Sequence, residues 1–193
     1  GANLYKLYRD GAEIYSGAAT SYTDSSLSAN HQYAYTLKAC NASGESDLSA
    51  QTIKYTLANI PELSIQSATQ RNIFGEISLE GNPSYTETLV EIATDAAFTT
   101  GVETVKDWDT QIDFIASDLR EGIQYYLRVK ARNGDNTETT WSTTQTIVTI
   151  PATPNAPAVA ANIESTKIDI SWSAIEGASE YVLYRDGEEI YRG

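Results

Sequence analysis

The chain has 193 residues, with 13 Lys and Arg against 26 Asp and Glu, for a formal charge of −13. Such acidity argues against a nucleic-acid partner, whose phosphates call for clustered cations, and no apolar run approaches the ~20 residues of a membrane helix, so no membrane insertion is expected. One Cys and one His leave no intrachain disulfide, no CxxC and no Ser-His-Asp pattern, whereas 13 Tyr, abundant Ser and Thr and no Met favour strands.

In chain order, residues 1–17 (GANLYKLYRDGAEIYSG) flank Asp10-Gly11 with Tyr-rich runs, which predicts a two-residue hairpin turn. Tyr5 is expected toward the core, with Tyr8 and Tyr15 outward. Leu27 and then Tyr33-x-Tyr35-x-Leu37-x-Ala39-x-Asn41 predict a strand that ends near Gly44. His31 reads as an exposed loop residue and Cys40 as an outward thiol beside inward Ala39. Asn41-Ala42-Ser43 is the sole N-glycosylation triplet. An alternating run from Ile53 to Leu57 stops before Pro61, since proline removes a ladder donor.

One turn of helix is predicted at Asp95–Thr100. Asp107-Trp108-Asp109 follows, where two carboxylates two residues apart suggest calcium and an exposed Trp suggests sugar stacking. The alternative is a loop whose Trp covers the fold. No other cofactor is expected, and no catalytic constellation is present. Leu119 and Tyr125-x-Leu127-x-Val129-x-Ala131-x-Asn133 repeat the Leu27–Asn41 pattern 92 residues later. Arg128, Lys130 and Arg132 alternate with apolar residues and so face outward, in reach of Glu87 and Glu91 on a neighbouring strand. Asn133-Gly134-Asp135 reads as an ordinary turn. The run Thr146–Thr149 ends at a segment with prolines at 151, 154 and 157. Then come Ile168-x-Ile170-x-Trp172 and Tyr181-x-Leu183. Residues 177–193 (GASEYVLYRDGEEIYRG) match residues 1–17 at twelve of seventeen positions, 176 residues on. Tyr184 and Tyr191 thus take the places of Tyr8 and Tyr15, and these four tyrosines with Trp108 form a candidate contact surface.

On these residues the chain resembles the fibronectin type III family. The resemblance implies tandem seven-strand Greek-key β-sandwiches. Trp172 takes the family's second-strand Trp position, Tyr33 and Tyr125 its tyrosine corner, and Gly44-Glu45-Ser46 its late turn. Trp141-Ser142 would open the last strand of the middle unit, and Leu79 replaces its core Trp. Residues 61–150 then form a complete sandwich. Residues 1–57 carry only the third strand onward, and residues 152–193 only the first strands through the third and its hairpin.

Two explanations of the incomplete ends compete. The chain is a window on a longer array, or its tail completes the head of another copy. Residues 1–17 and 177–193 encode the same hairpin and would compete for one slot, which favours the window. The expected function is a non-enzymatic segment of an extracellular or cell-surface stalk or filament, partnered by neighbouring domains or copies of itself. The alternatives are an adhesin binding glycan or surface protein, a spacer in a secreted hydrolase, and a strand-complementation polymer. The fold resemblance does not choose among them.

Overall fold

Asp10 and Gly11 adopt φ of 51° and 85°, and Asp186 and Gly187 φ of 54° and 87°. Two successive positive-φ residues let a strand reverse in two residues with the right twist. In the computed structural model, which describes residues 1–159 and 163–193, β1 (Leu4–Arg9) and β2 (Ala12–Gly17) form the first of these hairpins. β3 (Gln32–Asn41) pairs with β1, and β4 (Gly44–Glu45) and β5 (Thr52–Tyr55) both pair with β3, giving one sheet in order β2-β1-β3-β4 with β5 beside β3.

The register of the hairpin corrects one expectation. A β-bulge between Leu7 and Tyr8 sets Tyr15 opposite Leu7. An unbroken ladder would place Tyr15 opposite Lys6 and on the outer face; the extra residue turns it inward. The same irregularity between Leu183 and Tyr184 puts Tyr191 opposite Leu183. Tyr15 and Tyr191 therefore lie on the inner face, while Tyr8 and Tyr184 lie opposite Glu13 and Glu189.

The middle of the chain is a complete sandwich. β6 (Glu62–Ala68), β7 (Ile73–Ser78) and β10 (Asp113–Ala116) form one antiparallel sheet in order β10-β7-β6. β8 (Glu87–Ala93), β9 (Glu103–Asp109), β11 (Gln124–Arg132) and β12 (Gln145–Val148) form the other, in order β12-β11-β8-β9. The chain crosses between sheets after β7, β9 and β10, which is the Greek-key path of a seven-strand sandwich. Alternate residues fill the space between: Leu63, Ile73, Ile77, Val90, Ile92, Phe114, Leu127 and Val129 are all buried, and Leu79 packs against them. A Cβ on Gly75 would overlap the Phe114 ring, so Gly75 makes the room that Phe114 occupies. The Tyr125 hydroxyl accepts the Arg120 amide at 2.9 Å, and the Tyr33 hydroxyl accepts the Ser28 amide at 2.9 Å, which fixes the turn before each strand.

Hydroxyls also replace missing ladder bonds. The Val129 and Ala131 amides donate to Ser142 Oγ and Thr139 Oγ1, both at 3.1 Å. In the first sheet the Leu37 and Ala39 amides donate to Ser49 Oγ and Ser46 Oγ, both at 3.0 Å. Ser46, Ser49, Thr139 and Ser142 thus serve strand edges. Trp141-Ser142 lies within this irregular edge, before β12 begins at Gln145. Asp95–Thr100 is a turn and not a helix: the Asp95 carboxylate accepts the amides of Ala97, Thr99 and Thr100, a local alternative to helical bonding.

The last group has two short pairs, β13 (Ala158–Val159) with β14 (Ile170–Ser171) and β15 (Val182–Arg185) with β16 (Glu188–Arg192). Trp172 stands 5.9 Å from the rings of both Tyr181 and Tyr191. Among the described residues there is no helix, and so none long and apolar enough to cross a membrane.

Two substitutions rank the forces in the middle sandwich. Gly75→Ala should lower its stability by about 1–3 kcal/mol through overpacking, and Tyr125→Phe by about 1 kcal/mol through one lost hydrogen bond. Urea unfolding read by a probe confined to residues 62–148 checks both the size and the order.

Candidate functional site

Between the first sheet and the middle sandwich lies a polar joint that centres on Asn30. Asn30 has φ of 43°, in a loop just before β3, and is 1% exposed. Its Nδ2 donates to Thr86 Oγ1 at 2.8 Å, its Oδ1 accepts the Gly134 amide at 2.9 Å, and its carbonyl accepts the Tyr85 hydroxyl at 2.9 Å. Asn133 Nδ2 donates to the Thr56 carbonyl at 3.0 Å, and Gly134 lies under the Tyr55 ring, where a Cβ would overlap it. Asn59 and Asn82 exchange two bonds, at 2.8 and 2.9 Å. Asp135 completes the joint: it meets the Lys54 ammonium at 2.7 Å and accepts the Tyr55 amide at 3.2 Å. These two donors hold its carboxyl below the usual carboxylate range.

No described buried side-chain polar atom lacks a partner, so the joint is satisfied and not merely wet. Sequence reasoning missed it. Asn133-Gly134-Asp135 looks like any turn, and Asn30 looks like any loop residue. The one available signal was the 92-residue repeat, which sets Asn30 in the place of Gly122, a second positive-φ residue. Gly122 in turn meets the last group: a Cβ there would overlap the Glu176 carbonyl, and one on Gly177 would overlap Gly122. Arg120 and Glu176 pair beside them at 3.1 Å, both largely exposed. The same loop thus abuts the following strands twice along the chain.

On the outer face of the middle sandwich, cations and aromatic rings alternate. The Arg128 guanidinium lies 3.9 Å from the Phe98 centroid and 4.1 Å from that of Trp141. Lys130 lies 4.6 Å from Trp141 and 5.5 Å from Trp108, and Arg132 lies 4.7 Å from Trp108. Carboxylates close each cation from the side: Arg128 pairs with Glu91 at 2.7 Å, Lys130 with Glu138 at 2.6 Å, and Arg132 with Glu87. The Glu87 and Glu91 partners are those expected from the alternation of β11. Trp108 is half-buried, with the Lys130 and Arg132 head groups against its ring.

Asp107 and Asp109 spend their carboxylates locally. Asp107 Oδ1 accepts the Trp108 amide at 2.8 Å. Asp109 Oδ1 meets the buried Lys106 ammonium at 2.6 Å and accepts the Gln111 amide at 2.7 Å. Burial works to raise the Asp109 carboxyl, but the Lys106 ammonium and the Gln111 amide outweigh it and hold the carboxyl low. Lys106 also donates to the Thr88 carbonyl and hydroxyl, at 2.9 and 3.0 Å. Among the described residues no three His, Cys, Asp or Glu side chains are grouped to hold a metal ion.

In the first sheet the inner face is open. The Tyr35 hydroxyl donates to Asp24 at 2.8 Å, and Arg9 donates to both oxygens of Asp24 at 2.8 and 3.0 Å. Burial, followed by the Asp24 contact, pushes the Tyr35 phenol up to about 12. Tyr8 is half-buried and Tyr184 is 59% exposed, on faces remote from this opening.

The outer ladder yields a mutational test. Trp141→Ala removes two cation–π contacts and should destabilise the middle sandwich by about 1–2 kcal/mol, measured by denaturant unfolding. The charge-neutral changes Glu87→Gln and Glu91→Gln should each cost less, because both partners are partly solvated.

No protein-family model and no curated protein matches the chain. Among solved structures it is similar to the FN1–FN3 domains of chicken CNTN1, at 18% identity and a TM-score of 0.43 over 78% of this chain. It spans 56% of that fragment's length. It is also similar to a computationally redesigned β-sandwich protein, at 17% identity and a TM-score of 0.41, covering 49% of this chain and 92% of that one.

Proposed function

We propose that the chain is a non-enzymatic structural segment of a tandem array of fibronectin type III-like sandwiches, acting as a stiff spacer in an extracellular or cell-surface stalk. The observation that carries this reading is the joint at Asn30. A flexible linker needs no buried side chain, whereas Asn30 spends its amide on Thr86 and Gly134 and its carbonyl on Tyr85, all in the next unit. Such a fully bonded contact resists bending, because each unit of rotation exposes unsatisfied donors and acceptors. The repeat at 176 residues supplies the array, and the loop at Gly122 repeats the contact. With strands of roughly 7–10 residues at about 3.3 Å each, one sandwich spans roughly 30–40 Å with its loops. The charge of −13 keeps neighbouring rods apart at low salt. Its partners are then neighbouring domains and other copies of the chain.

The test is rotational diffusion of the intact chain by backbone NMR relaxation. Residues 4–55 and 62–148 should share one anisotropic correlation time. In Asn30→Leu, which strands the Gly134 amide and the Thr86 hydroxyl at a cost of about 1–3 kcal/mol, the two should separate into faster, independent values. Separate values in the unaltered chain would refute the stiff-spacer reading. Acid gives a second measurement. Because Asp135 binds its proton less tightly in the folded joint, its contribution is present above its unfolded pKa of about 3.9 and is lost as pH falls through the lower folded value. Coupling of the two correlation times should therefore weaken below about pH 4, and Asp135→Asn should show the weakened coupling at neutral pH.

A further inference from the structure

Asn133-Gly134 is the chain's sole Asn-Gly pair, and it lies inside the polar joint. This dipeptide carries its own reaction: the glycine nitrogen, with no side chain beside it, can attack the asparagine carboxamide carbon and expel ammonia. Both participants are tied down here. The Gly134 amide donates to Asn30 Oδ1 at 2.9 Å. That bond favours the protonated nitrogen, which must lose its proton before it can attack. Asn133 Nδ2, the leaving group, donates to the Thr56 carbonyl at 3.0 Å, and Asn133 is 4% exposed. The two locks come from the preceding strand group, 104 and 77 residues back in the chain.

The pair's own loop has the opposite effect. Asn133 Oδ1 accepts the amides of Asp135 at 3.1 Å and Thr137 at 2.8 Å. Attack on the carboxamide carbon moves negative charge onto that oxygen, where two donors already point, and such donors stabilise an oxyanion. The loop closes on itself: the Asn133 amide donates to the Thr137 carbonyl at 3.0 Å, and the Asn136 amide to the Asn133 carbonyl at 2.8 Å. It therefore keeps these donors when the preceding group moves away. Neither residue of the pair is free to change without loss to the joint. The Tyr55 ring fills the space of a Gly134 Cβ, and Asn133 supplies the bond to Thr56.

We propose that Asn133 is a deamidation site gated by the joint. Closed, the joint holds the nucleophile and the leaving group. When it opens locally, the Gly134 nitrogen gives up its proton to hydroxide and bonds to Cγ of Asn133. The Cγ–Nδ2 bond breaks, and the amide nitrogen takes a proton from water and leaves as ammonia. Water then adds to either carbonyl of the cyclic imide, giving aspartate or isoaspartate. Neither product restores the joint. A carboxylate at 133 sets acceptor against acceptor at the Thr56 carbonyl, and isoaspartate also adds a methylene to the main chain. Opening is thus recorded as a lasting loss of the contact. The gate rests on the joint's hydrogen bonds and not on the stalk reading.

Incubation of the intact chain in mildly alkaline buffer, then trypsin and tandem mass spectrometry of the fragment that begins at Asn133, reads the reaction as an amide-to-acid gain in mass. Isomerisation at Asp10-Gly11 or Asp186-Gly187 adds no mass and does not interfere. The informative variant is Asn30→Gly, which removes the side-chain amide and suits a positive φ, as Gly122 does in the repeat. Asn133 should react about tenfold or more faster in Asn30→Gly than in the unaltered chain, the factor that one buried hydrogen bond commands. Asn133→Asp, which reproduces one product, should separate the correlation times of residues 4–55 and 62–148. Equal rates in the unaltered chain and Asn30→Gly would overturn the proposal. So would an Asn30→Gly chain that stays protected while the urea-unfolded chain reacts, because the loop amides would then be the lock. Shared correlation times in Asn133→Asp would overturn the claim that the product unlocks the joint. Protection of Asn133 in an unaltered chain with separate correlation times would count against the stalk reading alone.

Discussion

Leu127 and Val129 on β11 and Val90 on β8 hold the one buried core found among the described residues, and they hold it only because β6 and β7 lie across them. A sheet with one apolar face must have that face covered; the hydrogen-bonded ladder alone returns little net free energy in water. The chain carries the same strand pattern at two places and so compares the covered and uncovered states. At β11 the inner residues are buried, and at β3 their counterparts Tyr35 and Leu37 line an open groove. At one end of that groove the Asp24 carboxylate accepts from both the Tyr35 hydroxyl and the Arg9 guanidinium.

A second requirement operates along the chain. Neighbouring strand groups meet through a loop that precedes β3 in one case and β11 in the other, and in both the central residue has positive φ. Asn30 fills that position with a side chain that satisfies two partners, whereas Gly122 fills it with close backbone approach to Glu176 and Gly177. The first solution is buried and directional. The second is lean, flanked by one exposed ion pair. Position in the fold is thus repeated while the chemistry at that position varies.

What the sequence reveals follows from which features are local. The Asp-Gly turns were legible because only two positive-φ residues close a hairpin in two steps, and the outward row Arg128, Lys130, Arg132 because alternation on a strand has a period of two. The inward turn of Tyr15 and Tyr191 was not, since a bulge adds one residue without altering composition and reverses every side chain beyond it. The burial of Lys106 has no sequence signal either: it is 7% exposed because Thr88 and Asp109 satisfy its ammonium. Asp95 reads as a helix start, but its carboxylate gathers three loop amides instead. The Asn30 joint was hidden for a related reason: its partners lie 56 and 104 residues away in the chain, and no local pattern announces them.

The central claim is that stability is graded by how completely each sheet is covered. Residue-resolved hydrogen exchange on dilute monomer measures this directly. Inner-strand amides of β8 and β11 should be protected to the level of global unfolding, those of β1 and β3 less so, and those of β15 and β16 least, with steps of about tenfold or more between groups. Equal protection along the chain, or end groups that outlast the middle sandwich, would contradict the account.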